Sequence, residues 1–283
     1  MPPQFRAPFG AASTDSRRAE WKRLGLFLGI GAAIFLFAVV ATGFVPFSWP
    51  DAIRRSTHPM VFVPLAIVLT IRLLRRDAIE LDSAALFEPW PIGRTTLPWL
   101  ALGIVLAVMT TLVFVLALGM RWAPNAHWSE INMILSIWAI VLTAAAEEIA
   151  FRGYALWRLL RLIGFWPAQL IVAALFALSH LTLGGYTLLP ALVGTVTGSI
   201  LYGAAFTRTR GLAAPIALHS GWNIAQHLVL SPLDASATPL VPIIAPPPTP
   251  LIYAGMVLTV GIVMVAATFA VLSLPRRTLS TGR

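Results

Sequence analysis

Eight long, nearly uncharged apolar runs leave this chain of 283 residues few folds to adopt. They lie near 25–47, 57–75, 96–119, 133–157, 164–183, 187–206, 211–230 and 250–274. A hydrocarbon core of about 30 Å takes roughly 20 residues at the helical rise of 1.5 Å, and each run reaches or approaches that length. Charged residues make up only 11% of the chain, against roughly 25% in an ordinary soluble domain. Mean hydropathy is +0.82. A soluble globular enzyme and a disordered protein are both excluded. The reading is an all-α, polytopic integral membrane protein with about eight transmembrane helices.

Charge then orients the spans. The formal net charge is +9, from 20 Lys and Arg against 11 Asp and Glu. With the N-terminus inside, all of the 20 except Arg54, Arg55 and Arg121 fall on the inner side. Cytoplasmic loops retain Lys and Arg, so both termini are expected in the cytoplasm, and a prokaryotic plasma membrane is the expected location. The lipid bilayer is therefore the expected partner of the basic surface. No basic patch interleaved with aromatics lies outside the membrane to suggest nucleic acid. Cysteine is absent, which removes disulfides, a thiolate metal site and a cysteine nucleophile.

The domain reading is a basic tail over 1–24, a membrane domain over 25–274 and a second tail over 275–283. The inner stretch 77–95 reads as an interfacial amphipathic segment. The outer stretch 231–250, rich in proline, reads as extended and cannot be a span. Trp49, Trp90, Trp122 and Trp128 suit interface anchors. Gly194, Gly198 and Gly203 suit close helix packing. No long internal repeat supports an inverted-repeat transporter.

The informative residues are polar groups placed inside spans, where each charge costs ~2.5–3.5 kcal/mol on insertion scales. Span four holds Glu147, Glu148 and Arg152; span five holds His180; span seven holds His219, Asn223 and His227. Adjacent helical residues point about 100° apart, so Glu147 and Glu148 diverge. Glu148 and Arg152 have the i,i+4 order that favours an ion pair, which leaves Glu147 to face a cavity. His219 and Asn223 share one helix face, and Phe176 sits one turn before His180. Counted from the expected inner boundary, Glu147, His180 and His219 lie ~16, ~21 and ~14 Å deep at helical rise. Three helices thus bring ionisable groups to the middle of the bilayer, as one buried site requires.

The order Glu147-Glu148-x-x-x-Arg152, then Phe176-x-x-x-His180, then His219-x-x-x-Asn223 resembles the three motifs of the CPBP intramembrane protease family. That family is also called the CAAX protease/bacteriocin-processing or Abi family. The motifs cover roughly 140–230 of the chain. The resemblance implies an eight-span endopeptidase that hydrolyses a peptide bond within the membrane. It implies that Glu147 and His180 activate water, that His219 and Asn223 stabilise the oxyanion, and that Glu148 and Arg152 support the site. The implied partner is a peptide or protein substrate, lipid-modified or not. CAAX-box protein processing and the processing of bacterial peptides, or immunity to them, fit equally. Members are often labelled metalloproteases.

The chemistry also stands on its own terms. A carboxylate in a low-dielectric cavity is shifted towards a useful base. Amide and imidazole N–H groups can bind a developing oxyanion. Alternatively Glu147, His180 and His219 could hold a divalent metal such as zinc, with a fourth position open for water. Other intramembrane proteases are excluded by residues: there is no His-Glu-x-x-His, no aspartate within a span, and no Gly-x-Ser-Gly. Ser179 and Ser220, adjoining the histidines, are expected to point elsewhere. Two rival readings remain, a proton- or cation-coupled transporter and a non-catalytic membrane scaffold or immunity protein.

Overall fold

A computed structural model of the protein describes residues 14–46, 48–49, 51–76, 96–182, 187–229, 235–243 and 248–275. The expected amphipathic segment 77–95, the first 13 residues and the last eight lie outside the described residues. Helices α1 (Thr14–Thr42), α2 (Asp51–Arg76) and α3 (Leu97–Leu118) come first. Strand β1 (Arg121–Pro124) follows, then α4 (Glu130–Arg152), the short α5 (Tyr154–Ile163) and α6 (Phe165–Thr182). Helix α7 (Leu188–Thr209), α8 (Ala213–Val229), strand β2 (Leu240–Ile243) and α9 (Pro250–Ser273) complete the order.

Six of the helical stretches are long and apolar enough to cross a membrane. The remaining two long helices, α6 with 18 residues and α8 with 17, carry His180 and His219. Their shorter length sets them apart from those six. Large side chains such as Leu36, Leu116 and Leu251 point outward, Leu251 with 83% exposure. In water that would be a fault; in acyl chains it is the ordinary outer face of a span.

Three boundaries differ from the sequence reading. Helix α1 begins at Thr14, so the basic stretch up to 24 is the first turns of a helix rather than a tail. Span four does not run on to 157. It stops at Arg152 because the backbone leaves the helical region at Gly153 (φ −62°, ψ −117°), a turn in which a Cβ would lie 2.4 Å from the Ile149 carbonyl oxygen. Arg158, taken as an inner-boundary residue, instead sits on α5, 1% exposed, where its guanidinium pairs with Glu20 of α1. The Arg158 guanidinium carbon also lies 5.0 Å from the Tyr154 ring centre, a cation–π contact that helps hold a cation away from water.

Helix ends are set by ordinary local chemistry. Ser129 caps α4 by accepting from the Asn132 N–H at 3.5 Å, and Glu130 in the first turn suits the positive helix end. Gly119 closes α3 with φ +59°, a left-handed conformation that glycine adopts without a Cβ clash. Within α7, residues Ala191–Thr195 form a π-helical turn just after Pro190. In the proline-rich connection, of which 230–234 and 244–247 lie outside the described residues, β2 pairs antiparallel with β1, Trp122 opposite Pro242. Asn125 reinforces it by donating its side-chain amide to the Thr238 carbonyl at 2.8 Å.

Packing forms two apolar cores. One joins α1, α2, α4, α5 and α6, with Phe206 of α7 and Ile216 of α8 closing it. The other joins α3, α7, α8 and α9. Helices α3 and α8 cross at glycine on both sides. A Cβ on Gly103 would lie 2.1 Å from the Leu218 carbonyl oxygen, and one on Gly221 would lie 2.2 Å from that of Leu100. Of the three glycines singled out in span six, Gly203 has this role, against Gln169 of α6; Gly194 has open space beside it. The polar site lies where the two cores meet.

Candidate functional site

Helix α4 turns its two adjacent glutamates in different directions, as helical geometry requires. Glu148 is fully buried and Glu147 keeps 27% of its side chain exposed. A single imidazole from α8 reaches both. His219 Nδ1 lies 2.9 Å from Glu148 Oε1, and its Nε2 lies 3.7 Å from Glu147 Oε2. A carboxylate only accepts, so Nδ1 of His219 carries the hydrogen and donates it to Glu148. The sequence reading paired His219 with Asn223 and missed this bridge. No spacing rule predicts a contact between residues 71 apart.

Glu148 Oε1 also accepts from Arg152 Nη1 at 3.2 Å, the expected i,i+4 pair. Arg152 is anchored further on α7, where Nη2 donates to Ser199 Oγ at 2.6 Å and to the Ser199 carbonyl at 3.1 Å. Its guanidinium stands 4.6 Å from the Phe176 ring. The other Glu148 oxygen, Oε2, is buried without a hydrogen-bond partner among the described residues. One oxygen therefore holds both the cation and the imidazole. Buried charge is tolerated here because each member is matched by another.

Helix α6 supplies His180 on the opposite wall. Its Nδ1 donates to the Phe176 carbonyl at 2.9 Å, which makes Nε2 the acceptor nitrogen of the ring. Ser179 donates to the same carbonyl at 2.7 Å and lies 3.5 Å from His180 Nδ1. That corrects the expectation that Ser179 points elsewhere: both side chains fold back onto one carbonyl. The Phe176 ring lies 4.5 Å from His180 and 6.1 Å from His219, between the two imidazoles. Tyr202 of α7 stacks flat on His219 at 4.4 Å. Tyr202 and Ser199 are supporting residues the sequence reading did not select. Asn223 lies one turn beyond His219 on α8 and is half-buried; His227, half-buried too, lies a further turn on.

Glu147, Thr143, Ser179 and His180 open together onto one cavity of about 1180 Å³, walled by α1, α2, α4, α5 and α6. Its lining is mostly apolar, so water that enters is sparse and its partners are few. His219 stands behind Glu147. The arrangement offers a carboxylate and an imidazole lone pair facing the space, with a second imidazole N–H braced from the rear. As a metal site it falls short. Among the described residues no three His, Asp or Glu gather around a point where an ion would sit. With both Nδ1 atoms committed, the donors left are Glu147, His180 Nε2 and His219 Nε2, the number a catalytic zinc takes, but they are not gathered about one point.

Residues 127–225 match the protein family described as type II CAAX prenyl endopeptidase Rce1-like. The matched segment holds α4 to α7 and α8 as far as Ala225, and so every residue of the three motifs. It agrees with the resemblance carried by those motifs and supports a CAAX-type intramembrane protease at the level of the family. No curated protein and no solved structure matches the chain.

Proposed function

We propose, on the premise that the motif-bearing segment belongs to the CAAX endopeptidase family of membrane proteases, that this protein hydrolyses a peptide bond inside the bilayer with water activated by Glu147 and His180. The observation that carries this reading is that both side chains line one cavity. A water held between Glu147 and the lone pair of His180 Nε2 gives its proton to Glu147 as its oxygen adds to the carbonyl carbon. Glu147 then returns that proton to the leaving nitrogen as the C–N bond breaks. The substrate is a peptide or protein segment drawn from the membrane.

The negative charge that gathers on the carbonyl oxygen needs donors. Glu148 accepts from His219 Nδ1 at 2.9 Å and so fixes the ring; a hydrogen on Nε2 would then point past Glu147 into the site as the first donor. The Asn223 amide, one turn along α8, is the second donor. Each oxyanion donor is worth ~2.7–4 kcal/mol in measured cases. Arg152 and Ser199 hold the carboxylate that holds the imidazole. No step runs through a metal.

The test uses the purified full chain in detergent with a peptide ending in a CAAX sequence, prenylated and unprenylated. Glu147→Gln and His180→Ala are expected to lower cleavage at least a thousandfold with an unchanged melting temperature. Cleavage that persists in Glu147→Gln would overturn the assignment of the base. Dialysis against a strong chelator is expected to leave the rate within twofold; loss restored by added zinc would replace the water-only scheme.

A further inference from the structure

Among the described residues the cavity is lined by the hydroxyl side chains of Thr42, Thr143 and Ser179, which differ in what their hydrogens do. Thr42 donates to the Ala38 carbonyl at 3.0 Å, and Ser179 to that of Phe176 at 2.7 Å. Both are spent on their own helices. Thr143 is exposed, and its hydroxyl makes no hydrogen bond among the described residues. Threonine within a helix can bond the carbonyl one turn back, and Thr110, Thr111, Thr197 and Thr268 do so at 2.6–2.8 Å. For Thr143 the equivalent acceptor is the Ala139 carbonyl, and that bond is not made.

Thr143 stands one turn before Glu147 on α4, and both line the cavity. Residues four apart on a helix are surface neighbours, with Cβ atoms ~5–6 Å from each other. Helical side chains also lean towards the N-terminus of their helix, so the Glu147 carboxylate lies over the turn that carries Thr143. The two groups share no direct hydrogen bond. A water is the smallest group that links a hydroxyl donor to a carboxylate without such a bond. His180, from the facing wall of α6, lines the same space.

The attacking water has two hydrogens and two lone pairs to place. In the reaction above, the Glu147 carboxylate and His180 Nε2 are both acceptors, so they take the two hydrogens. One lone pair attacks the carbonyl carbon. The other needs a donor, because a water held by its hydrogens alone can tilt its reactive pair away from the target. His219 and Asn223 are occupied with the oxyanion, and Arg152 is turned to Glu148 and Ser199. The uncommitted hydroxyl beside Glu147 is that of Thr143.

We propose that Thr143 Oγ1 donates a hydrogen bond to the attacking water and so aims its reactive lone pair at the scissile carbonyl. Thr143 neither gains nor loses a proton in this role. The proton of the water still passes to Glu147 and from there to the leaving nitrogen. The inference rests on the proteolytic reading above and adds a third contact to the nucleophile of that same site. The sequence reading passed over Thr143 because a lone threonine costs little in a span, where its own helix can satisfy it.

The experiment measures kcat and KM on one CAAX-type peptide for wild type, Thr143→Val, which keeps the shape, and Thr143→Ser, which keeps the hydroxyl. Thr143→Val is expected to lower kcat by about 10–100-fold at unchanged KM and melting temperature, since misplacing a reactant by about 1 Å costs up to about 100-fold. Thr143→Ser is expected to recover most of that loss. An unchanged kcat in Thr143→Val overturns the proposal, and so does a loss confined to KM, which makes Thr143 a substrate contact instead. Equal losses in the two variants trace the effect to shape and overturn it as well. None of these outcomes touches the protease, which stands on cleavage by wild type and its loss in Glu147→Gln; a wild type that cleaves nothing removes both readings. Should Thr143→Val fail to fold, Thr143→Ala replaces it against Thr143→Ser, and matching kcat values in that pair sink the proposal.

Discussion

Glu148 Oε1 receives two donors, one a guanidinium and one an imidazole. Removing its charge while keeping its shape therefore strands Arg152 in a fully buried site. Glu148→Gln is expected to cost ~3–5 kcal/mol of stability, the usual penalty for breaking a buried pair. It should also cut kcat by about 10²–10³, because His219 loses the acceptor that fixes its ring in the site. Melting temperature and kcat measured on the same sample check this. A variant that melts normally and cleaves normally would assign Glu148 no part. The identity of Glu147, Glu148, Arg152, His180 and His219 as the polar set was legible in the sequence, because lipid makes each of them costly. The bridging of both glutamates by one imidazole was not, since it depends on how α8 leans against α4.

At the scale of elements, α3 and α8 approach through Gly103 and Gly221 so closely that neither position has room for a methyl group. Because α8 carries His219 and Asn223, that crossing also fixes the oxyanion donors. Gly103→Val is expected to destabilise by at least the ~1–3 kcal/mol of ordinary overpacking and to lower cleavage by shifting α8. A melting curve and a rate distinguish this from a variant that simply expresses less. The crossing escaped the sequence reading, which favoured the glycines of span six instead; small residues mark many helix faces, and only contact says which are used. The break at Gly153 escaped for the opposite reason. Glycine stands between two apolar stretches, and hydropathy alone runs across it as a single stretch from Glu130 to Ile163.

At the scale of the whole molecule, the apolar runs forecast the membrane helices well because bilayer thickness fixes their length. They forecast the ends less well. Glu20 of α1 pairs with buried Arg158 of α5, a tie between distant segments that turned an expected tail into a helix. The asymmetry of Lys and Arg predicts which ends face the cytoplasm, and the lack of native cysteine makes this easy to test. In intact cells His127→Cys is expected to react with an impermeant maleimide and Leu274→Cys only after lysis; both positions are exposed. The opposite pattern would invert the protein and place the outer ribbon of β1 and β2 in the cytoplasm.

The π-helical turn at Ala191–Thr195 has its own consequence for how this sequence tolerates change. Such a turn holds one residue more than a regular helix needs, and Val193 within it leans on Gly261 of α9. Deleting a single residue there would let the coil relax to 3.6 per turn. Ser199 and Tyr202 on the downstream side and Leu188 on the upstream side would keep their mutual facing, whereas the same deletion in a regular helix would turn one against the other by about 100°. A one-residue deletion is normally ruinous within a span; here it would spare the wall of the site.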